Sequence, residues 1–322
     1  MTMTADRPST RERSASERST TGRPQAPRRR ARPERTLGAI ALVPFVAFLL
    51  VFALYPLAEL LRLSVTDTTI QDGAFVSRFN GLENFATALT SPANLASIGI
   101  TIVFIVLTVG GTLILGTALA LLVDRAVWTL GIARNVLIWP AVITPVVVSV
   151  MWVMLLSPTV GGINKVLLNA GLPAQGWLDT PVGAFLCVVV VDVWHWTPIV
   201  FLFVYTALRG IGGEILEAAR MDGASEWQVV GRIVLPMLAP ALVVVSLVRL
   251  VSSIKAFDEM YLLTRGGPDG ATNLVSLQIR TLFFDRLDFG PAAALSVAIV
   301  LAVGAVVGGA LLGRRTQKEA RA

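Results

Sequence analysis

The chain is short of most residues on which soluble chemistry depends. It has one cysteine, Cys187, and one histidine, His195, in 322 residues. A lone cysteine excludes an intrachain disulfide framework, and Cys187 sits in the apolar run FLCVVVV, where a thiol serves as a small buried hydrophobe. One cysteine with one histidine also leaves a Cys/His metal site short of ligands. Charged residues make up 15% of the chain, against about a quarter in soluble domains, so a water-facing globule fits poorly. Two catalytic signatures are missing as well. No GxxxxGK[ST] loop cradles a nucleotide phosphate, and no G-x-S-x-G elbow presents a serine to the single histidine.

What the chain has in plenty is apolar surface. Hydrophobic residues reach 54%, mean hydropathy is +0.71, and the apolar residues come in long blocks. A membrane-crossing helix needs roughly 20 such residues. That length places spans near 37–61, 95–123, 134–157, 182–206, 237–262 and 289–312. None alternates in the short segments of an outer-membrane barrel. The expected fold is an all-α membrane protein, a six-span helical bundle over 37–312. Residues 1–36 are Ser, Thr, Arg and Pro with almost no large apolar side chains, so that tail is expected to be disordered. Arg28, Arg29 and Arg30 raise the question of a twin-arginine export signal. The apolar run after them is too long for a signal and lacks an A-x-A site, so a retained first span is expected.

The net charge of +6 and pI near 10.2 do not point to nucleic acid, because the surplus sits in tails beside apolar spans with no basic face interleaved with aromatics. It reads instead as topology. With the N-terminus in the cytoplasm, the inside segments hold 19 Lys and Arg and the outside segments 6. Positive residues stay inside, so both termini, including the basic tail 313–322, and the loop 207–236 are expected in the cytoplasm.

That loop carries the stretch EAARMDGASEWQVVGRIVLP, Glu217 to Pro236. Helix formers run to Met221, and Gly223 supplies a stop because glycine enters the left-handed region without a Cβ penalty. Ser225 with Gln228 three residues on is a capping-box pattern. Ala218 and Ala219 allow close approach to a partner, while Glu217, Arg220 and Asp222 offer charge. On residue types alone, an amphipathic helix lying on the bilayer is an equal reading. The spacing separates the two: Glu217-Ala218-Ala219, three residues, Gly223, nine residues, then Ile233-Val234-Leu235-Pro236 resembles the EAA loop of bacterial ABC importer permeases without a gap.

The resemblance extends over roughly 40–312. GLENF (Gly81–Phe85), WPAVITPVVVSVMWVMLLSPTVGGIN (Trp139–Asn164), HWTPIVFLF (His195–Phe203) and KAFDEMYLLTRGGP (Lys255–Pro268) are similar to segments of the carbohydrate-uptake permeases that include the maltose and glycerol-3-phosphate importer subunits. The resemblance implies a type I importer permease fold with a coupling helix, and an ATPase-coupling role for Glu217, Ala218, Ala219, Arg220, Asp222, Gly223 and Pro236. It implies as partners an ABC ATPase dimer, a second homologous permease subunit and an extracytoplasmic solute-binding protein, in a bacterial inner membrane. No cofactor is expected on this chain, and ATP with Mg is expected on the ATPase. The Arg-rich N-terminal tail lies outside the family pattern.

Ionisable residues inside spans are expensive, about 2.5–3.5 kcal/mol each by insertion scales. Arg249, Asp192 and His195, with Trp194 and Trp196 around the histidine, and Lys255 and Asp258 at the fifth span's end are therefore candidates for a translocation path. A second reading has each only satisfying a neighbour: Lys255 pairs Asp258 or Glu259, and Asp192 pairs His195 or another helix. Arg249 is the leading path candidate, having no carboxylate one turn away on its own helix. Pro44, Pro140, Pro145 and Pro198 interrupt apolar runs and are expected to bend helices. An ion-coupled secondary transporter is the alternative function. It predicts inverted repeats with matching buried carboxylates, which the sequence does not display, and it leaves the EAA-type loop unexplained.

Overall fold

The computed structural model describes residues 42–125 and 137–319. The tail 1–36, Arg134 and residues 320–322 lie outside them. The chain forms two units, Met1–Tyr55 and Pro56–Ala322. In the first, residues 42–55 belong to helix α1 (Leu42–Ser64), and every side chain from Leu42 to Tyr55 is exposed. An uninterrupted apolar helical surface of this kind suits hydrocarbon rather than water.

The second unit begins with a hairpin that hydropathy does not foresee. Strands β1 (Thr66–Gln71) and β2 (Ala74–Phe79) pair antiparallel, with Thr66 opposite Phe79 and Asp67 opposite Arg78. Asp72 and Gly73 both have positive φ, 49° and 78°, the turn geometry that Asp-Gly favours between two strands. Helix α2 (Glu83–Thr90) follows and is tied back by Asn84 of the GLENF segment. The Asn84 amide donates to the Ser64 and Thr66 carbonyls at 3.1 and 2.9 Å. A Cβ on Gly290 would lie 2.5 Å from that amide, so glycine there permits the approach.

The helical framework comprises α3 (Pro92–Arg125), α4 (Pro145–Leu156), α5 (Gly162–Asn169), α6 (Pro181–Arg209), α7 (Gly213–Met221), α8 (Glu226–Ile254), α9 (Asp258–Leu263), α10 (Val275–Arg280) and α11 (Phe289–Glu319). Helix α8 contains a π-helical turn at Val230–Val234, and α10 runs into another at Thr281–Asp285. Helix α3 buries a row of small and hydroxyl residues: Ser97, Thr101, Thr108 and Thr112 meet α8, α10 and the turn before α10, while Gly116 meets α6. Thr101, Thr108 and Thr112 each donate to the carbonyl four residues back, which satisfies the hydroxyls without water. At Gly116 a Cβ would meet Val200 at 2.7 Å, so the backbones approach as small-residue membrane contacts do.

Among the described residues, five helical stretches are long and apolar enough to cross a membrane: α1, α3, α6, α8 and the Phe289–Ala310 part of α11. Six were expected. The region expected as the third span is interrupted: residues 137–142 are helical, the chain leaves the helix at Ile143 and Thr144, and α4 restarts at Pro145 with 12 residues. Proline at the first helical position explains the restart, since its missing N–H is not needed there. Helix α8, expected as the fifth span over 237–262, also differs from the hydropathy boundary. It ends at Ile254 and a separate α9 starts at Asp258. Ser276 Oγ donates to the Ala256 carbonyl freed by that break, at 2.5 Å.

Candidate functional site

Inside the second unit, α6, α8 and α9 bring four ionisable groups into contact. Arg249 and Asp192 are each 1% exposed. Arg249 Nη2 donates to Asp192 Oδ1 at 2.5 Å, its Nε donates to Thr112 Oγ1 at 3.3 Å, and its guanidinium lies 4.8 Å from the Trp196 ring centroid. Its Nη1 is buried without a hydrogen-bond partner among the described residues. Arg249 is thus neutralised by a carboxylate from another helix, a pairing that inspection of its own helix could not reveal.

His195 stands one turn along α6 from Asp192. Its Nδ1 meets Glu259 Oε1 and its Nε2 donates to the Ile143 carbonyl at 3.2 Å. That carbonyl is available because the helix breaks before Pro145. A carbonyl only accepts, so Nε2 carries the hydrogen of that bond, and Nδ1 faces the Glu259 carboxyl group.

The other path candidates do not join this cluster. Trp194 lies on a different face of α6 and packs edge-on against Trp152, ring centroids 5.7 Å apart. Lys255 and Asp258 are exposed on either side of the break between α8 and α9. Among the described ion pairs Lys255 has neither expected partner: Glu259 is taken by His195, and the break removes the helical spacing that would align Lys255 with Asp258.

At the other end of α6 and α8 lies the polar loop. Helix α7 ends at Met221, with Asp222 as its C-cap, followed by Gly223 at φ +82°. Ala224 N–H donates to the Ala219 carbonyl at 3.1 Å, closing the turn. Ser225 then caps α8, its N–H donating to Gln228 Oε1 at 2.8 Å in a complete capping box. Leu216 and Ala219 are partly buried and pack against the buried apolar cluster to which Leu208 and Val234 belong. Glu217, Ala218, Met221, Asp222, Gly223, Trp227 and Pro236 are exposed, with Met221 at 88% and Trp227 at 85%. Arg220 Nε donates to Glu226 Oε1 at 2.8 Å, and Arg125 of α3 reaches Glu226 Oε2 at 3.0 Å. The hydrogen bond to Glu226 raises the Arg220 pKa above its ordinary value. The capped start of α8 is continuous with its membrane portion, Glu226–Ile254.

The family model described as "Binding-protein-dependent transport system inner membrane component" matches residues 112–317. The chain belongs to this family. It is therefore a multi-pass inner membrane permease of an ABC importer, a transport subunit rather than an enzyme. The trehalose/maltose transport system permease protein MalF of Thermococcus litoralis is 30% identical over 82% of this chain and 88% of that protein. The sn-glycerol-3-phosphate transport system permease protein UgpA of Agrobacterium fabrum is 30% identical over 84% of this chain and 92% of that protein. A chain of a bacterial ABC transporter for alginate import, in complex with an alginate pentasaccharide-bound periplasmic protein, superposes with TM-score 0.75 at 23% identity, over 88% of the permease and 96% of that chain. At that identity the likeness is one of fold.

Sequence reasoning placed Asp192, His195, Trp196 and Arg249 on the list but missed what completes them: Thr112, the Ile143 carbonyl and Glu259's bond to His195. The available signal was that each intramembrane charge demands a partner from another helix. Glu226, which joins α3 to the polar loop, carried no such signal because it sits in a charged segment.

Proposed function

We propose that this permease imports a sugar, or a related polyol or sugar phosphate, delivered by an extracytoplasmic binding protein and driven by a separate ATPase dimer. The α7–Gly223–α8 loop is the docking element on a cytoplasmic face, with both termini on the same side. Its exposed Glu217, Ala218, Met221 and Asp222 meet the ATPase, and its inward Leu216 and Ala219 grip the bundle. That division of α7 into an exposed face, where Glu217 and Arg220 stand beside Ala218 and Met221, and a packed apolar one is the observation that carries the reading. A second homologous permease subunit completes the passage, and ATP with Mg resides on the ATPase. The sugar class is supported by relatives named for trehalose, maltose and sn-glycerol-3-phosphate transport. Arg249, Asp192, Trp196 and His195 form the path-lining cluster of this chain. Arg249 Nη1 is a free donor for a solute hydroxyl, and the Trp196 ring offers an apolar face.

Co-purification and uptake test the reading together. A tagged chain brings down an ATPase, and Glu217→Ala or Gly223→Val reduces both recovery of the ATPase and uptake. An isolated chain without ATPase, with uptake unaffected by either substitution, removes the proposal. Arg249→Ala in an assembled complex is expected to lose uptake, and full uptake there would remove Arg249 from the path.

A further inference from the structure

A second polar site lies away from the Arg249 cluster, where α9, the turn after it and α10 converge. A cavity of about 310 Å³ is lined by Tyr261, Arg265, Asn273, Arg280, Thr281 and Asp285. The elements around it are fixed in uncommon backbone states. Arg265 is a non-glycine residue in the left-handed region, φ +53°, held there by N–H bonds to the Met260 and Tyr261 carbonyls at 3.2 and 3.1 Å. Thr272 locks the turn through Gly267 O at 3.0 Å and Thr264 Oγ1 at 2.6 Å. The opposite wall is the π-helical turn Thr281–Asp285. Strained residues and π-helical turns persist where surrounding structure over-determines them, and they concentrate at binding sites.

The charges and donors in this cavity are unevenly matched. Arg280 is compensated: its Nη1 donates to Asp285 Oδ2 at 2.7 Å and its guanidinium covers Tyr261 at 4.7 Å. Tyr261 is in turn stacked on Phe257. Asn273 spends its amide hydrogens on Ser97 Oγ and Gln278 Oε1, at 3.2 and 2.9 Å, which fixes the group and leaves its oxygen to accept. Arg265 has no carboxylate among the described ion pairs. The cavity therefore combines one uncompensated guanidinium with several hydroxyl-matching groups and an aromatic ring.

We infer that this cavity is a charge-selective subsite for the solute, binding a phosphate or carboxylate carried on a sugar or polyol before it reaches the buried Arg249 cluster. The assignment rests on the sugar-import reading above, with this turn on the outer face. Arg265 supplies a charge-assisted hydrogen bond to the anion, and Asn273, Thr281 and Tyr261 address hydroxyls.

The full chain with its co-purifying subunits, in phosphatidylcholine nanodiscs without ATP, is titrated calorimetrically with glucose 6-phosphate, glucuronate and glucose. The anionic sugars are expected to bind about tenfold or more tightly than glucose, the scale of one charge-assisted bond. Arg265→Gln is expected to abolish that preference and Arg265→Lys to retain most of it, while neither shifts the melting temperature. Equal affinity for glucose and the anions, or an unchanged preference in Arg265→Gln, overturns the subsite. Loss of sugar binding in discs containing phosphatidylglycerol assigns the cavity to a lipid headgroup and overturns its assignment to the solute. The two readings fail separately. Anion preference without any sugar uptake by the assembled transporter defeats the function proposal alone, whereas sugar uptake without anion preference defeats the subsite alone.

Discussion

The two ends of α6 and α8 carry the same chemistry, an arginine against a carboxylate, under opposite conditions. In the bundle, Arg249 and Asp192 are both 1% exposed and share their surroundings with Thr112 and Trp196. In the polar loop, Arg220, Arg125 and Glu226 are each about half exposed, and one carboxylate serves two guanidinium groups. Water supplies the loop with substitute partners, and salt screens its attractions. No such substitute exists at Arg249, where removing one partner strands the other charge. Charge in the bundle must therefore stay paired for the fold to hold, whatever else it contacts, while charge in the loop is free to serve recognition alone.

The largest expected effect breaks the buried pair. Asp192→Ala leaves Arg249 desolvated and unpaired, and loss of one partner of a buried pair costs about 3–5 kcal/mol. The measurement is thermal stability of the purified chain, with its membrane level as a second readout. Asp192→Leu combined with Arg249→Met, which removes both charges, is expected to recover most of that stability while uptake stays lost. Single and double variants of equal stability would show that the pair is not coupled. Next in size is Gly223→Val. A branched side chain at φ +82° costs about 1–2 kcal/mol, a roughly five- to thirty-fold change in a local equilibrium. Because Gly223 is exposed and a Cβ there meets nothing within 4 Å, the effect is expected in ATPase recovery and uptake, not in assembly of the bundle. Of at least comparable size is His195→Ala, which leaves Glu259 and the Ile143 carbonyl unpaired at about 1–3 kcal/mol for each buried polar group. His195→Gln, keeping a donor, is expected to lose less by the same stability measurement.

The same contrast governs what the sequence discloses. Long apolar blocks locate α1, α3, α6, α8 and α11 because crossing hydrocarbon demands length, and length is visible. The loop is equally visible, since Gly223, Ser225 and Gln228 carry their backbone chemistry locally. The hairpin's Asp72-Gly73 turn is local too, but it falls outside any apolar pattern. By contrast, the break at Ile143 and Thr144 matters because His195, far along the chain, uses the carbonyl it frees. Likewise Arg249 finds Asp192 and Thr112 on two other helices, and Glu259 goes to His195 rather than Lys255. Those partnerships are set by how α3, α6, α8 and α9 pack, and helical spacing within one segment contains no record of them.

The smallest expected effect sharpens the comparison from the exposed side. Glu226→Ala removes the acceptor of both Arg220 and Arg125, yet each guanidinium remains in reach of water. No resolvable change in melting temperature is expected, unlike Asp192→Ala. Arg220 and Arg125 would nevertheless lose the group that holds α7 against α3, so α7 would sample more orientations before docking. The expected signature is a weaker association with the ATPase, whose deficit against the unaltered chain narrows as ionic strength rises. That narrowing follows because salt already screens the exposed pairs in the unaltered protein. A melting temperature that falls as far as in Asp192→Ala would mean that the loop pairs hold the fold, and the division between a structural and a recognition role would collapse.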